Sequence, residues 1–337
     1  MEGAGGGFVL LVLAGMMNAS FALPMKFMKK WAWENIWAVW SLWALMLMPL
    51  VAALATIPSL TAVYTQVGPR PVLLVAACGF GWGIAQVLFG LAVDSIGISL
   101  AFAIVLGLSA AIGSLIPFVR LHSEKVLTPA GLVLIAGVVL VLIGVSICAG
   151  AGVKREHAIS KTSGQRASFA GLAFAIVSGI GAAAMNFGVA FGGPLLSAAS
   201  ANGTDAAWTM NAVWLPLMMA GAIPNLLYCI YLMRAKKTTR NFGTGGTNHY
   251  WFLAGVMAFF WFASTLMYGV ASGKLGALGP IYGWPFFMSL IVIMASVLGV
   301  LSGEWKNVGK LPIRLQFTGV GVLTIAVVVL SYAGRHL

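Results

Sequence analysis

Residues 78–117 read CGFGWGIAQVLFGLAVDSIGISLAFAIVLGLSAAIGSLIP, and this stretch decides the fold. It contains two apolar runs on either side of the short segment Asp94-Ser95-Ile96-Gly97, which holds the only charge in the stretch. Each run approaches the length of about 20 apolar residues that a membrane-spanning helix needs. The stretch therefore predicts two transmembrane helices joined by a very tight turn.

The second half of the chain repeats this pattern between residues 255 and 299. An aromatic- and glycine-rich run that includes Trp261 and Tyr268 is followed by a short link, Ser272–Gly276, and then by another apolar run. Two hairpins of this kind in one chain predict an internally duplicated membrane protein.

The composition agrees with a membrane protein. Of the 337 residues, 61% are hydrophobic and only 8% are charged, whereas a soluble domain has about 25% charged residues. Charge-free apolar runs predict ten spans, at about residues 5–23, 33–54, 70–92, 97–119, 129–150, 168–190, 207–233, 249–271, 276–300 and 313–333. The connecting segments are too short for a soluble domain, so we expect an all-α membrane protein with a single membrane domain, residues 1–337.

The first polar segment of any length, residues 153–168, divides the ten predicted spans into five and five. Because five is odd, the sixth span enters the membrane from the side opposite to the first. The halves, residues 1–150 and 168–337, are therefore expected to be inverted five-helix repeats, as in many secondary transporters. Short sequence matches that occur in the same order in both halves support the repeat. For example, the sequence Ala38-Val39-Trp40 in the second span recurs as Ala212-Val213-Trp214 in the seventh.

The net charge of +12 has an explanation that does not involve nucleic acid. Fourteen of the 19 lysines and arginines lie in the loops after the odd-numbered spans. Lysine and arginine are enriched in cytoplasmic loops, so these loops are expected to be cytoplasmic and both termini periplasmic. The expected partners are the lipid bilayer and a small-molecule substrate, and the oligomeric state stays open, with a monomer compatible with the sequence.

Motifs of catalysis and metal binding are missing from the sequence. The four histidines lie in or beside loops without ligand spacing, and Cys78, Cys148 and Cys229 lie in predicted spans without a C-x-x-C pattern. There is no H-E-x-x-H motif, phosphate-binding loop or nucleophile elbow. We therefore expect no enzyme activity, no metal site and no cofactor, although a membrane-embedded enzyme or an assembly scaffold remains an alternative.

Polar side chains in apolar spans are candidates for substrate binding, because burying them without a partner costs free energy. In the third span Trp82 and Gln86 are spaced i, i+4 and share one helix face, whereas Gly79, Gly83 and Gly90 are predicted to allow close contact with a neighbouring helix. The candidate substrate-binding residues are Asn18, Trp82, Gln86, Asn186, Asn211, Trp214, Trp261, Tyr268, Tyr282 and Trp284.

Two helical stripes contribute several of these candidates. Asn211, Trp214, Met218 and Asn225 share one face of the seventh span, and Trp261, Ser264 and Tyr268 share one face of the eighth. Packing against a neighbouring helix is the alternative for both stripes.

The candidates combine aromatic rings with neutral hydrogen-bonding groups, and buried fixed charge is nearly absent. This combination suits a neutral sugar, because its CH faces stack on rings while its hydroxyls pair with amides.

Glu34, near the start of the second span, is the candidate for energy coupling. A buried carboxylate that takes up a proton loses its charge, and this can change which conformations the protein adopts. The alternative is a solvated i, i+4 ion pair between Glu34 and Lys30. Protons are accordingly the expected coupling ion.

Three segments resemble a known family: KFMKKWAWENIW at residues 26–37, the residue 79–117 hairpin, and GWPFFMSLIVIMASVLGVLSGEWKNVGKLP at residues 283–312. They are similar to the L-rhamnose–proton symporter family, a branch of the drug/metabolite transporter superfamily, and the resemblance spans essentially the whole chain. It implies ten helices in two inverted halves, periplasmic termini, and proton-coupled uptake of a neutral sugar, L-rhamnose or a related 6-deoxyhexose, across the bacterial cytoplasmic membrane. An exporter of the same superfamily, or a carrier of another small metabolite or an amphipathic amine, is the alternative.

Overall fold

The computed structural model describes residues 2–159, 169–303, 305–306 and 308–336. Within these residues the chain is helical and contains no strand. The α-helices of the described chain are α1 Glu2–Ser20, α2 Trp33–Ser41, α3 Met48–Thr56, α4 Leu60–Val67, α5 Pro69–Ile96, α6 Ile98–Leu121, α7 Pro129–Ile159, α8 Phe169–Ala182, α9 Ala184–Phe191, α10 Gly193–Ala201, α11 Asn211–Ala235, α12 Asn248–Lys274, α13 Gly279–Leu301 and α14 Lys310–His336. A π-helical segment, Leu42–Leu47, joins α2 to α3.

Ten helical segments of the described residues are long and apolar enough to cross a membrane, and they coincide with the ten predicted spans. The all-α membrane fold is therefore confirmed. Three of the segments are composite. The first, Gly5–Phe27, contains most of α1 and the 3-10 helix Leu23–Phe27; the second, Trp33–Thr56, contains α2, the π-helical segment and α3; and the sixth, Phe169–Ala201, contains α8, α9 and α10.

The sixth span differs from its prediction as one helix at about residues 168–190. It is interrupted at Ala183 and Gly192 and continues to Ala201, while residues 160–168 lie outside the described residues. The second interruption has a clear cause, because Pro194 lacks a backbone N–H and its fixed φ favours the first turn of a new helix. The short helix α4 was also not predicted.

The two predicted hairpins are present. Helices α5 and α6 are joined by the single residue Gly97, whose φ of 83° is readily adopted by glycine alone. Helix α12 continues to Lys274, so the second hairpin has its link at residues 275–278 and not at Ser272–Gly276.

Glycines of α5 allow a close helix contact. Gly79 lies against the backbone carbonyl of Leu217, and Gly83 against that of Gly221, so a side chain at either position would displace α11. The prediction for these two glycines is confirmed. For Gly90 it is wrong, because a Cβ there would meet no atom within 4 Å.

Contacts between helices of one half of the chain have counterparts in the other half. Helix α1 packs against α12 and α13, and α8 packs against α5 and α6. Helices α6 and α13 face each other, and α7 and α14 pack together behind them. The two hairpins α5–α6 and α12–α13 therefore form the centre of the bundle.

The segments that follow the odd-numbered spans lie together at one end of the bundle, which we call the basic end. Three contacts join them: Lys30 Nζ donates to the Gly245 carbonyl at 2.9 Å, Ser99 Oγ donates to Glu156 Oε1 at 2.8 Å, and the Arg155 guanidinium lies 5.2 Å from the centre of the Trp305 ring. Lys161 and Arg166, which also count toward the charge asymmetry, lie outside the described residues.

Candidate functional site

A central cavity of about 160 Å³ lies between α1, α2, α5, α6, α8, α9, α12 and α13. Aromatic side chains form much of its wall: Phe21, Trp37, Trp40, Trp82, Phe89, Phe102, Trp261, Trp284 and Phe287. Because these rings come from both halves of the chain, the cavity lies at their interface.

Four tryptophans on one side of the cavity form a continuous surface, which we call the tryptophan wall. The centres of the Trp37 and Trp40 rings are 4.3 Å apart, and Trp40 meets Trp261 edge-on at 5.2 Å. Trp82 stacks on Trp261 with ring centres 5.6 Å apart. A wall of this kind offers broad apolar faces to a ligand.

Neutral polar side chains complete the lining: Asn18, Gln86, Ser109, Ser178 and Thr265. Three of them already donate a hydrogen bond within the protein: Asn18 Nδ2 to Ser264 Oγ at 3.0 Å, Ser178 Oγ to the Ala85 carbonyl at 2.7 Å, and Thr265 Oγ1 to the Trp261 carbonyl at 3.1 Å. The Gln86 amide makes no side-chain hydrogen bond within the described part of the chain. Its donors and acceptor, together with the Asn18 Oδ1 acceptor, are available to a ligand.

The described residues that line the central cavity include no charged side chain. A carboxylate or phosphate ligand would find no cation there, and an amine would find no carboxylate. The chemistry of the lining therefore suits a neutral ligand that has both hydroxyls and apolar faces.

Asn186, which is fully buried, closes the bundle on the side of the cavity away from the basic end. Its Nδ2 donates to the Gly113 carbonyl on α6 at 2.8 Å and to the Pro280 carbonyl on α13 at 2.9 Å, and its Oδ1 accepts from Tyr268 Oη on α12 at 2.5 Å. Ser114 Oγ adds a bond to the Ile281 carbonyl at 2.6 Å. We call this group the Asn186 junction, and it joins four helices.

The interruption of the sixth span at Ala183 positions Asn186 in the first turn of α9. Close to the junction, Trp284 Nε1 donates to the Ser109 carbonyl at 3.0 Å, a second bond between α13 and α6. Tyr268 stacks on Phe287 with ring centres 5.2 Å apart. The outer halves of α6 and α13 are thus held together by hydrogen bonds and packed rings.

Glu34 lies in the first turn of α2 at the basic end, where it is 1% exposed. Thr238 Oγ1 donates to Glu34 Oε1 at 2.8 Å, and Lys236 Nζ lies 3.4 Å from Glu34 Oε2. The neighbouring Asn35 donates from Nδ2 to the Thr238 carbonyl at 3.1 Å and accepts at Oδ1 from Asn241 at 3.2 Å. These residues, the Glu34 junction, tie the start of α2 to the segment after α11.

The alternative of a solvated pair between Glu34 and Lys30 is wrong. Helix α2 begins only at Trp33, so Lys30 lies outside the helix and an i, i+4 geometry does not apply. Lys30 instead bonds the Gly245 carbonyl, and the cation beside Glu34 is Lys236, which comes from the other half of the chain.

A second cavity, of about 250 Å³, lies between α6, α7, α13 and α14. It shares the side chains of Phe102, Leu106 and Ile291 with the central cavity and extends to Ser99 and Arg155 at the basic end. The inner halves of α6 and α13 are therefore separated by open space.

The structure separates the predicted substrate-binding residues into two groups. Those that line the central cavity are Asn18, Trp82, Gln86, Trp261 and Trp284. The other five lie elsewhere. Asn186 and Tyr268 belong to the Asn186 junction, and Tyr282 Oη donates to the Leu275 carbonyl at 2.9 Å. Asn211 Nδ2 donates to Thr56 Oγ1 at 2.9 Å, and the centres of the Trp214 and Tyr268 rings are 6.5 Å apart. Asn211 and Trp214 thus follow the packing alternative for their stripe.

Sequence reasoning missed several residues of the cavity wall. Trp37 and Trp40 belong to the tryptophan wall, and their i, i+3 spacing in a tryptophan-rich segment was a signal that could have identified them. Phe89, Phe102 and Ser109 carry no comparable signal, because they are ordinary residues of apolar helices.

Comparisons with known proteins agree with the resemblance. A sequence profile of the family described as L-rhamnose-proton symport protein (RhaT) matches residues 5–334. The L-rhamnose-proton symporters of Escherichia coli strain 55989 and of Shigella boydii serotype 18 are each 27% identical to this chain over 315 residues, which cover 91% of this chain and 92% of the relative. The chain therefore belongs to the L-rhamnose-proton symport protein family.

Proposed function

We propose that this protein is a secondary active transporter that takes up L-rhamnose, or a related 6-deoxyhexose, together with protons. The observation that carries the proposal is the central cavity, whose described lining residues carry no charge and combine the tryptophan wall with free amide groups at the interface of the two halves. Family membership supports it, since the relatives named above are L-rhamnose-proton symporters.

The polar groups of the cavity match the needs of a sugar. Each hydroxyl can donate one hydrogen bond and accept others. Acceptors are provided by Asn18 Oδ1 and by the Ser178 and Thr265 oxygens, whose own hydrogens are already used, while Gln86 supplies both donors and an acceptor. Gln86 and Asn18 bind the hydroxyls, and Trp82 and Trp261 stack on an apolar face of the ring. An amphipathic amine would meet no carboxylate among the described residues of this cavity wall.

The two halves of the chain act as inverted repeats in this mechanism. The paired contacts support this, since α1 packs against the second hairpin just as α8 packs against the first. Because the basic end carries most of the lysines and arginines, it faces the cytoplasm, and both termini are periplasmic. The protein accordingly lies in the bacterial cytoplasmic membrane.

Alternating access follows from this orientation. The Asn186 junction closes the periplasmic side, and the second cavity leads from the sugar site toward the cytoplasm, so the conformation described here is inward-facing. The hairpins α5–α6 and α12–α13 are the moving gates. Uptake requires that the Asn186 junction opens while the inner halves of α6 and α13 approach each other.

Glu34 couples this motion to protons. The carboxylate receives one neutral and one charged hydrogen bond from the segment after α11, and the cation beside it comes from the opposite repeat. Protonation removes the negative charge and weakens the bond to Lys236, which releases α2 from its partner segment. Buried carboxylates in the membrane-spanning part of transporters commonly act in proton relays.

Transport of radiolabelled L-rhamnose by purified protein in liposomes tests the function. With an inward proton gradient we expect accumulation above the outside concentration, and a protonophore should abolish it. Liposomes without protein are the control. If neither L-rhamnose nor another 6-deoxyhexose is accumulated or exchanged, the sugar assignment is refuted.

A further inference from the structure

The second cavity has a wall that is unusual for a cleft between apolar helices. Gln316 and Ser296 are both more than nine-tenths buried, and Gln316 Nε2 donates to Ser296 Oγ at 2.5 Å. The indole of Trp305 and the hydroxyl of Ser99 lie toward the basic end. These neutral groups are of the kinds that line the central cavity, and the Arg155 guanidinium adds a charged group at the basic end of the second cavity.

Burial of an amide in the apolar helix α14 calls for an explanation, because polar groups in spans are costly and usually functional. One hydrogen bond from Nε2 satisfies only part of the Gln316 amide, which has two donors and an acceptor. The remaining hydrogen-bonding capacity, like that of Gln86 in the central cavity, suits a hydroxylated ligand.

Apolar side chains stand between the two cavities: Phe102, Leu106 and Ile291 contribute to both walls. Among the three, Phe102 is 40% exposed, and its ring meets Phe89 edge-on with centres 4.8 Å apart. A ring in open space on two sides can change rotamer without displacing a helix. Phe102 is thus a movable partition between the cavities.

We propose that the second cavity is a release vestibule that binds the sugar transiently on its way to the cytoplasm, with Phe102 as the partition and Gln316 as the main polar contact. This inference rests on the proposed function, because it takes the same neutral polyol from the central cavity. The ligand passes the Phe102 ring, and its hydroxyls then bond the Gln316 amide and Ser296.

Cys148 provides a native probe, because its side chain lies on the vestibule wall. In a protein with Cys78→Ala and Cys229→Ala, N-ethylmaleimide alkylates only Cys148. We expect L-rhamnose to slow this alkylation about threefold or more, at concentrations above those that saturate the central cavity, because a release site must bind weakly. A protein whose sole thiol is Cys78, which lines neither cavity, is the control.

Two variants distinguish occupancy of the vestibule from an indirect effect of the central site. Gln316→Leu should remove the protection of Cys148, and Gln86→Leu should keep it. Protection that is lost in Gln86→Leu, or that follows the saturation of the central cavity, would overturn the proposal, as would no protection at all. If L-rhamnose is transported but Cys148 is unprotected, only the vestibule is refuted; if no sugar is transported, the proposed function itself fails.

The partition is tested by sugar exchange in the absence of a gradient. Phe102→Ala should raise the rate of L-rhamnose exchange about threefold, because the ring no longer obstructs passage. Phe259→Ala, at an exposed position of α12, is the matched control and should leave the rate unchanged. Equal exchange rates for Phe102→Ala and the unmodified protein would contradict the role of Phe102.

Discussion

Helices α6 and α13 meet in two different ways along their length. In their outer halves, Asn186 and Ser114 link the two helices through backbone carbonyls, and the rings of Tyr268 and Trp284 fill the remaining space. In their inner halves the same helices are separated by two cavities that are divided only by apolar side chains such as Phe102.

This difference shows what holds a gate closed in an apolar environment. Lipid tails and the protein interior are equally apolar, so the hydrophobic effect gives little preference for contact between two helices. Buried hydrogen bonds do give one, because their breakage leaves unpaired groups unless water enters. The outer contact is therefore a defined closed state, whereas at the inner contact only apolar side chains such as Phe102 separate the two cavities.

Substitution of Asn186 is expected to have the largest effect on the contact between the outer halves of α6 and α13. Asn186→Leu leaves the Tyr268 hydroxyl and the Gly113 carbonyl without partners, each at a cost of about 1–3 kcal/mol, and also removes the bond to the Pro280 carbonyl. We expect uptake of L-rhamnose to fall about 100-fold or more, together with a lower melting temperature. Asn202→Leu is the control, because the Asn202 amide bonds Gln66 near the surface. Normal uptake by Asn186→Leu would refute the gate.

Glu34 tests whether the other junction is coupled to protons. A hydrogen bond to a charged group is worth about 1.5–3 kcal/mol, so Glu34→Gln should lower gradient-driven accumulation about 10-fold to 100-fold. Exchange of sugar without a gradient should persist. Glu124→Gln, an exposed carboxylate outside the Glu34 junction, is the control. A Glu34→Gln protein that still concentrates L-rhamnose would remove Glu34 from the coupling mechanism.

Substitution of Gln86 tests the proposed sugar site in the central cavity. Gln86→Leu keeps the volume of the side chain but removes the free amide, and the loss of about 1–2 kcal/mol of hydrogen bonding should raise the KM for L-rhamnose about tenfold. Gln66→Leu, outside the cavity, is the control. Saturation kinetics of uptake give the answer, and an unchanged KM would exclude Gln86 from sugar recognition.

Substitution of Ser114 is expected to have the smallest effect on the contact between the outer halves of α6 and α13. Ser114→Ala removes one of its hydrogen bonds and leaves the Ile281 carbonyl unpaired, and a cost of about 1 kcal/mol should lower uptake about fivefold. Ser146→Ala is the control, since the Ser146 hydroxyl bonds only within α7. An effect as large as that of Asn186→Leu would mean that Asn186 has no special role in the seal.

Part of the site was predictable from residue spacing. Trp82 and Gln86 share a helix face, and both line the central cavity. Asn211 and Trp214 also share a face, yet they pack against α3 and α12. Helical periodicity identifies which side chains point the same way, but it contains no information about whether a cavity or another helix lies opposite.

Hydropathy, turn glycines and motifs are properties of local segments, so the ten spans, the two hairpins and the family were predictable from the sequence. The roles of individual polar residues depend on the packing of distant segments. Asn186 bonds residues that are 73, 82 and 94 positions away, and Glu34 bonds Lys236, 202 positions away. A buried polar group takes its role from the partners that packing brings to it, and these partners lie far away in the chain.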